Sequence, residues 1–200
     1  MEAVALTKPR VQDPVDTLSD LSRRLTQSDR AAYGEIFRRF HAPLVRYARR
    51  ITNDEATAYD VLQDVFMKLW EDRHTLTVKI SLQAMLYTMV RNRALNSLRR
   101  NKWIATDAAA ETVRDYQETA PTGDDLLAAD DLRKHIRRWI DALPTRRAEA
   151  FILSRDHGLK HHEIAAIMDV SERTVDTHIL LALRDLRGRL DALQNGGTLP

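Results

Sequence analysis

Apolar residues recur at three- and four-residue spacing over most of the chain, while the apolar–polar alternation that marks strands is absent. Only 6 glycines and 6 prolines occur among the 200 residues, so few positions interrupt this pattern. The spacing predicts an all-α protein, and its breaks divide the chain into two small helical domains joined by a linker.

The first predicted domain spans residues 17–102 and follows a polar, proline-containing segment, 1–16, that we expect to be a disordered tail. An amphipathic stretch opens the domain, and Ser28 or Asp29 is positioned to cap the helix after it. Pro43 is expected to separate that helix from the next one. The apolar residues expected to face the core here are Leu18, Leu21, Leu25, Ala32, Tyr33, Ile36, Phe37, Phe40, Leu44, Tyr47, Ala48 and Ile51.

Residues 56–71 carry the clearest two-sided pattern in the chain. One face of the predicted helix is apolar and consists of Val61, Leu62, Val65, Phe66, Leu69 and Trp70. The opposite face is polar and consists of Asp60, Gln63, Asp64 and Lys68. A polar loop, 72–79, separates this helix from a long helix predicted over residues 81–102, so four helices are available to enclose one core.

Helical periodicity fails over residues 103–125, where alanine, threonine and acidic residues predominate, and this composition predicts a flexible acidic linker. Helical spacing returns over residues 126–193, which form the second predicted domain. Residues 194–200 contain two adjacent glycines and predict a frayed tail.

Within the second domain, residues 160–168 predict a helix, Asp169 a tight turn, and Ser171 the cap of a second helix. The residues expected to be buried in the second helix are Val175, Ile179, Ala182, Leu183 and Leu186. A helix-turn-helix places the first residues of its second helix in the major groove of DNA, which makes Glu172, Arg173, Asp176 and Thr177 candidate DNA contacts. A helical hairpin without a DNA-binding role is the alternative.

The composition limits the classes of function that fit the chain. The net charge is only +2 although 30% of the residues are charged, so charge alone does not indicate a nucleic-acid partner. The absence of cysteine excludes disulfides and thiolate metal sites and favours a cytoplasmic location. No apolar run approaches the roughly 20 residues that span a bilayer, so we expect no membrane insertion.

The histidines resemble a metal site only in part. His157 and His161 are four residues apart and can share a helix face, and His162-Glu163 begins like a zinc-protease helix. Ala166 stands where that motif requires its second histidine. No nucleophile elbow or glycine-rich phosphate loop occurs either, so the sequence predicts no enzyme activity, no cofactor and no metal.

Three ordered motifs together resemble the extracytoplasmic function (ECF) group of RNA polymerase sigma factors over about residues 28–190. The first motif consists of residues 60–66 and 68–70, and the second consists of residues 86–87, 90–96 and 98–100. The third consists of residues 143–144, 147, 151, 158–159, 163–165 and 170–175. The first two resemble region 2 of these factors, and the third resembles region 4. Two positions differ from the family pattern. Met85 stands where many of these factors have tryptophan, and Asp169 stands where they usually have a glycine in the turn.

The resemblance implies that the chain binds core RNA polymerase and directs it to promoter DNA. The residues that it implies for the beta-prime clamp helices are Asp60, Gln63, Asp64 and Lys68. Those implied for the minus-ten element are Arg91, Asn92, Asn96, Arg99 and Arg100, and those for the minus-thirty-five element are Ser171, Glu172, Arg173, Thr174, Asp176 and Thr177. It also implies capture of a flipped base by the loop 72–79, docking of the second domain on the beta flap, and an anti-sigma factor as a further partner.

The residues alone leave several alternatives open. A stand-alone helix-turn-helix regulator, a metal hydrolase that uses the histidines and a pure interaction module are the rival functions. The linker is either a solvated tether or a segment that enters the polymerase. Asp176, Leu180 and Leu181 replace the polar or basic residues usual in related recognition helices, which leaves the strength of minus-thirty-five binding open.

Overall fold

The structure, a computed structural model, describes residues 14–78, 80–105 and 127–194, and these residues form eight α-helices and no strand. The all-α prediction is confirmed. The helices are α1 (Pro14–Thr26), α2 (Arg30–Thr52), α3 (Glu55–Glu71), α4 (Leu82–Ala105), α5 (Leu127–Asp141), α6 (Thr145–Arg155), α7 (His161–Met168) and α8 (Glu172–Gln194). They fall into two compact units, the first ending at Leu98 and the second beginning at Arg99.

The core of the first unit brings α1, α2, α3 and α4 together. Helices α1 and α3 both pack against α2, and the rings of Tyr47 in α2 and Tyr87 in α4 lie 5.1 Å apart. The largest side chains that are fully or almost fully buried in this unit are Leu21, Leu25, Ile36, Leu44, Leu62, Leu69, Leu86 and Tyr87. The predicted apolar stripes of α1 and α3 therefore face the core.

Helix α2 runs without a break through Pro43, so the prediction that this proline separates two helices is wrong. Proline lacks a backbone N–H and crowds the carbonyl four residues earlier, which normally costs about 3 kcal/mol inside a helix. Phe40, Leu44 and Tyr47 are all buried on either side of Pro43. Because burying each such side chain contributes roughly 1.5–3 kcal/mol, the core holds both halves of α2 in one helix.

Polar side chains define the junctions between the helices of the first unit. Asp29 caps α2, because its carboxylate accepts hydrogen bonds from the backbone N–H groups of Ala31 and Ala32 at 2.8 and 3.2 Å. Arg24 donates to the same carboxylate at 2.9 Å, and this hydrogen bond is the main cause of the lowered pKa of Asp29. Asn53 ends α2 in the left-handed conformation, with a φ of 53°. Of the two predicted caps, the structure uses Asp29.

Helices α5 to α8 form the second unit, in which α5, α6 and α7 all pack against α8. Its buried cluster consists of Ile140, Leu143, Ala148, Phe151, Ile152 and Ala182, with Leu186 packed against it. Leu183 is 39% exposed, so the prediction that it is buried is wrong. The reason is helical geometry, since Leu183 follows the fully buried Ala182 and points about 100° away from it around the helix axis.

Three predicted segments lie largely outside the described residues, namely the tail 1–16, the linker 103–125 and the tail 194–200. Helix α1 already begins at Pro14 and α4 ends at Ala105, so both helices extend into segments that the sequence assigned to a tail and to a linker. None of the helices in the described ranges is long and apolar enough to cross a membrane.

Candidate functional site

Helix α3 exposes a polar surface because its apolar side chains are used in the core. Val61, Leu62, Val65, Phe66 and Leu69 are buried. On the other side Asp60, Gln63 and Lys68 are exposed and Asp64 is partly exposed. We call these four residues the α3 polar face. Lys68 donates a hydrogen bond to Asp72 at 2.9 Å, which raises the pKa of Lys68. The face carries two carboxylates and one ammonium group, so it is acidic overall.

Asp64 is paired on this face, because Arg93 of α4 reaches across to it. The Nε and one terminal N–H group of Arg93 donate to the same carboxylate oxygen, Oδ2, at 2.8 and 2.6 Å. The side chains remain 48% and 42% exposed, so the pair is at the surface and contributes about 0–1 kcal/mol. The two residues are 29 positions apart, and no local pattern in the sequence indicated their contact.

Exposed apolar side chains border the α3 polar face, and the sequence patterns did not single them out. Tyr59 and Met67 are 47% and 53% exposed, and with Gln63 they follow a four-residue spacing along one side of α3. Phe37, a predicted core residue, is 40% exposed, which corrects that prediction. It packs at the edge of the α2–α3 pair, where its ring centroid lies 4.8 Å from that of Phe66.

The residues predicted for the minus-ten element lie along the outer side of α4. Asn92, Asn96, Arg99 and Arg100 are exposed, and Arg91 is partly exposed. The inner side of the same helix carries Val90 and Ala94, which are fully buried. We call the five predicted residues the α4 polar face. It combines three guanidinium groups, which suit phosphates, with two amides that can bond to base edges.

The loop between α3 and α4 is fixed where it begins. The Arg73 guanidinium lies 4.3 Å from the centre of the Trp70 ring and donates to the Trp70 carbonyl at 2.6 Å and to the Ser28 hydroxyl at 2.8 Å. The His74 ring forms hydrogen bonds with the Thr26 carbonyl at 3.0 Å and with Ser28 at 3.1 Å. These contacts anchor the first half of the loop on the α1–α2 turn.

In the second unit, α7, a tight turn and the start of α8 form the predicted helix-turn-helix. Asp169 adopts the left-handed conformation in the turn, with a φ of 54°. Ser171 caps α8, because its hydroxyl accepts a hydrogen bond from the backbone N–H of Thr174 at 3.1 Å. Ile164 of α7 and Val175 of α8 are fully buried, and the two helices pack together.

The first two turns of α8 expose most of the residues predicted for the minus-thirty-five element. Glu172, Arg173, Asp176 and Thr177 are exposed together with Ser171, and Thr174 is partly exposed. Asp176 does not stand alone, since one of its carboxylate oxygens lies 2.5 Å from Nδ1 of His161, the first residue of α7. Among the described residues, no group of three or more histidine or acidic side chains is placed to hold a metal ion.

Both units match known family models, in the order in which the motifs occur. Residues 36–104 match Sigma-70 region 2, and residues 133–186 match Sigma-70, region 4, so the two matches together cover more than half of the chain. The ECF RNA polymerase sigma factor SigK of Mycobacterium tuberculosis (strain ATCC 25618 / H37Rv) is 23% identical over 184 residues, which are 92% of this chain and 97% of SigK. The chain belongs to the ECF group of sigma-70 factors.

One further relative and two solved structures of the same fold are similar to this ECF sigma factor. SigM of Mycobacterium tuberculosis is 26% identical over 168 residues, which are 84% of this chain and 82% of SigM. The structure of CnrH in complex with the cytosolic domain of CnrY has a TM-score of 0.61 and 21% identity, and the match covers 88% of this chain and 99% of CnrH. RpoE of Bartonella quintana, solved with the anti-sigma factor NepR, also has a TM-score of 0.61 and 21% identity, with coverage of 80% and 96%.

Membership in this family confirms the resemblance inferred from the motifs and defines the class of function. The partners of a sigma factor are core RNA polymerase and promoter DNA, and its role is in promoter-directed initiation of transcription. Sigma factors as a family are regulatory proteins and not enzymes.

Proposed function

We propose that this ECF sigma factor recognises the minus-ten element with its first domain, residues 17–102, and the minus-thirty-five element with its second domain, residues 126–193. The observation that supports this most is the division of α3, α4 and α8 into a buried apolar side and an exposed polar side. The residues that the resemblance implies as contacts lie on the exposed or partly exposed side in each of the three helices, and buried residues occupy the other side.

The α3 polar face binds the beta-prime clamp helices of the polymerase in this proposal. Its acidic character suits a basic partner surface, and charge complementarity of this kind steers association and sets the register of the complex. The exposed side chains of Tyr59 and Met67 beside it add apolar area that a protein partner can bury.

The α4 polar face contacts the minus-ten element. Asn92 and Asn96 are four residues apart on one side of the helix, so their amides can bond to the edges of neighbouring unpaired bases. The arginines of the face hold the phosphates, which positions the strand without reading its sequence. The loop 72–79 holds a base flipped out of the stack, an event that costs a few kcal/mol of unstacking.

The second domain reads the minus-thirty-five element with the start of α8 and docks on the beta flap. Arg173 is exposed in the first turn, where a guanidinium can pair with guanine or with a phosphate oxygen. Glu172 and Thr177 lie beside it, and the hydroxyl of Ser171 fixes the start of α8 by accepting from the Thr174 N–H. The bond to His161 draws the charge of Asp176 towards a neighbouring helix, which reduces its repulsion of DNA.

An anti-sigma factor is the further partner that we propose, and we place the complex in the cytoplasm. Leu180 is 68% exposed and Leu183 is 39% exposed on α8, just beyond the proposed DNA contacts. Large exposed aliphatic side chains of this kind suit a protein partner better than DNA phosphates. The solved structure of RpoE contains an anti-sigma factor bound to a protein of this fold.

Transcription in vitro tests the proposal. The purified protein is added to bacterial core RNA polymerase with a panel of promoter fragments, and core polymerase alone is the control. We expect specific transcripts whose start sites share sequences about ten and thirty-five base pairs upstream. A protein that binds no core polymerase but binds duplex DNA as a dimer would instead be a stand-alone regulator.

A further inference from the structure

Arg93 of α4 connects two surfaces that the proposed function assigns to different partners. Its guanidinium bonds to Asp64 of the α3 polar face, while its backbone belongs to α4. Along α4, Arg93 precedes Asn96 by three positions and Arg100 by seven, so the three residues lie on the same side of the helix. Arg93 is thus next to the α4 polar face but was not among its predicted members.

We propose that Arg93 is a further contact for the phosphate backbone of the promoter, and that Asp64 masks it until the polymerase binds. This inference rests on the proposed function. In the free protein the Asp64 carboxylate neutralises Arg93, which reduces its attraction for DNA. When a basic side chain of the polymerase approaches Asp64, the two cations repel each other and share one carboxylate, so the hold on Arg93 weakens.

The geometry of the pair suits an exchange of partners. Both side chains are about half exposed, so a polymerase residue can reach Asp64 and a phosphate can reach Arg93 without unfolding of the unit. Exposed ion pairs contribute little net stability, so opening this pair requires little energy. A guanidinium binds phosphate oxygens through the same parallel N–H groups with which it binds a carboxylate. The exchange would couple polymerase binding to tighter binding of DNA.

Binding of the free protein to a fluorescent single-stranded oligonucleotide, measured at several salt concentrations, tests the masking. Asp64→Asn should tighten binding severalfold and steepen the salt dependence by about 0.7, the value for one added phosphate contact on a single strand. Glu71→Gln is the matched control, because it removes one exposed negative charge two turns further along α3. It should not change the slope. Arg93→Ala should bind no more tightly than the wild type, because it leaves the Asp64 carboxylate without its guanidinium, and the double variant Asp64→Asn with Arg93→Ala should lose the gain.

The holoenzyme tests the second half of the inference. Arg93→Ala should leave the affinity for core polymerase equal to that of the wild type or higher, because Asp64 loses a competitor. The same variant should bind promoter DNA several times more weakly, with a salt slope lower by about 0.7–0.9. A merely structural role for Arg93 predicts weaker binding to both partners, and that result would overturn the inference.

The failure of this inference can be told apart from the failure of the proposed function. If Asp64→Asn behaves like Glu71→Gln, or if its gain persists without Arg93, masking is excluded even when the wild-type protein directs transcription. If the wild-type protein does not bind core polymerase, the proposed function is wrong, and the coupling to polymerase fails with it. The comparison of the free variants would then still report whether Asp64 masks Arg93.

Discussion

Each unit carries an aspartate that the family motifs assign to a partner surface, and each aspartate is already paired with a side chain from a neighbouring helix. Asp64 accepts two hydrogen bonds from Arg93 in the first unit. Asp176 is bonded to His161 in the second unit. The two pairs look alike, since both are exposed and both join helices.

The pairs differ in where the second side chain is anchored. Arg93 belongs to a helix that we expect to meet DNA, so opening its pair releases a cation at a place where DNA can use it. His161 is the first residue of α7, which packs against α8. Its bond therefore directs the Asp176 side chain towards α7, the helix that supports the recognition helix α8. The role of an exposed ion pair therefore depends on where its cationic side chain is located, and not on the distance between the two charged groups.

The largest effect is expected for Asp64→Arg, which replaces the acid with a cation next to Arg93. Removing one member of a charged interface pair costs about 2–5 kcal/mol, so the affinity for core polymerase should fall by about 30-fold or more. Titration of a fluorescently labelled factor with core polymerase measures this. Glu71→Arg makes the same charge reversal two turns further along α3, at a residue that is not an implied contact, and should stay within a few-fold of the wild type. Equal losses in the two variants would mean that general charge, not this face, determines binding.

Ile164→Ala tests how much the packing of α7 against α8 stabilises the second unit. Ile164 is fully buried, and truncation of such a side chain to alanine costs about 2–5 kcal/mol. Urea unfolding should therefore show a clearly lower free energy of unfolding. Ile164→Val is the matched control and should cost about 0.5–1.5 kcal/mol. Similar small losses for both variants would contradict tight packing between α7 and α8.

Arg173→Ala addresses the recognition of DNA by α8. Loss of a guanidinium that pairs with a base or a phosphate costs about 1–3 kcal/mol, or roughly 5- to 150-fold in affinity. The measurement is binding of the holoenzyme to promoters with intact and altered minus-thirty-five elements. The control is Arg187→Ala, an exposed arginine later in α8 that should leave binding nearly unchanged. A variant that keeps full discrimination between the promoters would exclude Arg173 as a reader of bases.

The smallest effect is expected for His161→Ala, which leaves Asp176 without its partner at the DNA surface. Exposed pairs contribute up to about 1 kcal/mol, so binding to the minus-thirty-five element should weaken by no more than about 5-fold. Adding Asp176→Asn should restore binding, because the repelling charge is removed. If the double variant binds as weakly as His161→Ala alone, His161 acts by a direct contact with DNA and not through Asp176.

Much of the architecture was predictable from local patterns. The two faces of α3 follow from apolar residues at helical spacing, and the turn before α8 follows from Asp169 and the Ser171 cap, which act within a few residues. The error at Pro43 has a different origin. A proline signals a break through its own backbone, but the burial of Phe40 and Leu44 on both sides keeps α2 continuous, and that burial depends on other helices.

The candidate sites also combine features that local patterns predict with contacts that depend on the packing of other helices. Periodicity identified the four residues of the α3 polar face, because a helix repeats every 3.6 residues and one buried side determines the opposite one. The residues of the α4 polar face came instead from the family resemblance. The sequence did not indicate that Asp64 meets Arg93, 29 positions away, or that Asp176 meets His161, 15 positions away. Such contacts arise only when packed helices bring distant residues together, since side-chain chemistry fixes what a residue can bind and helix packing fixes which partner is within reach.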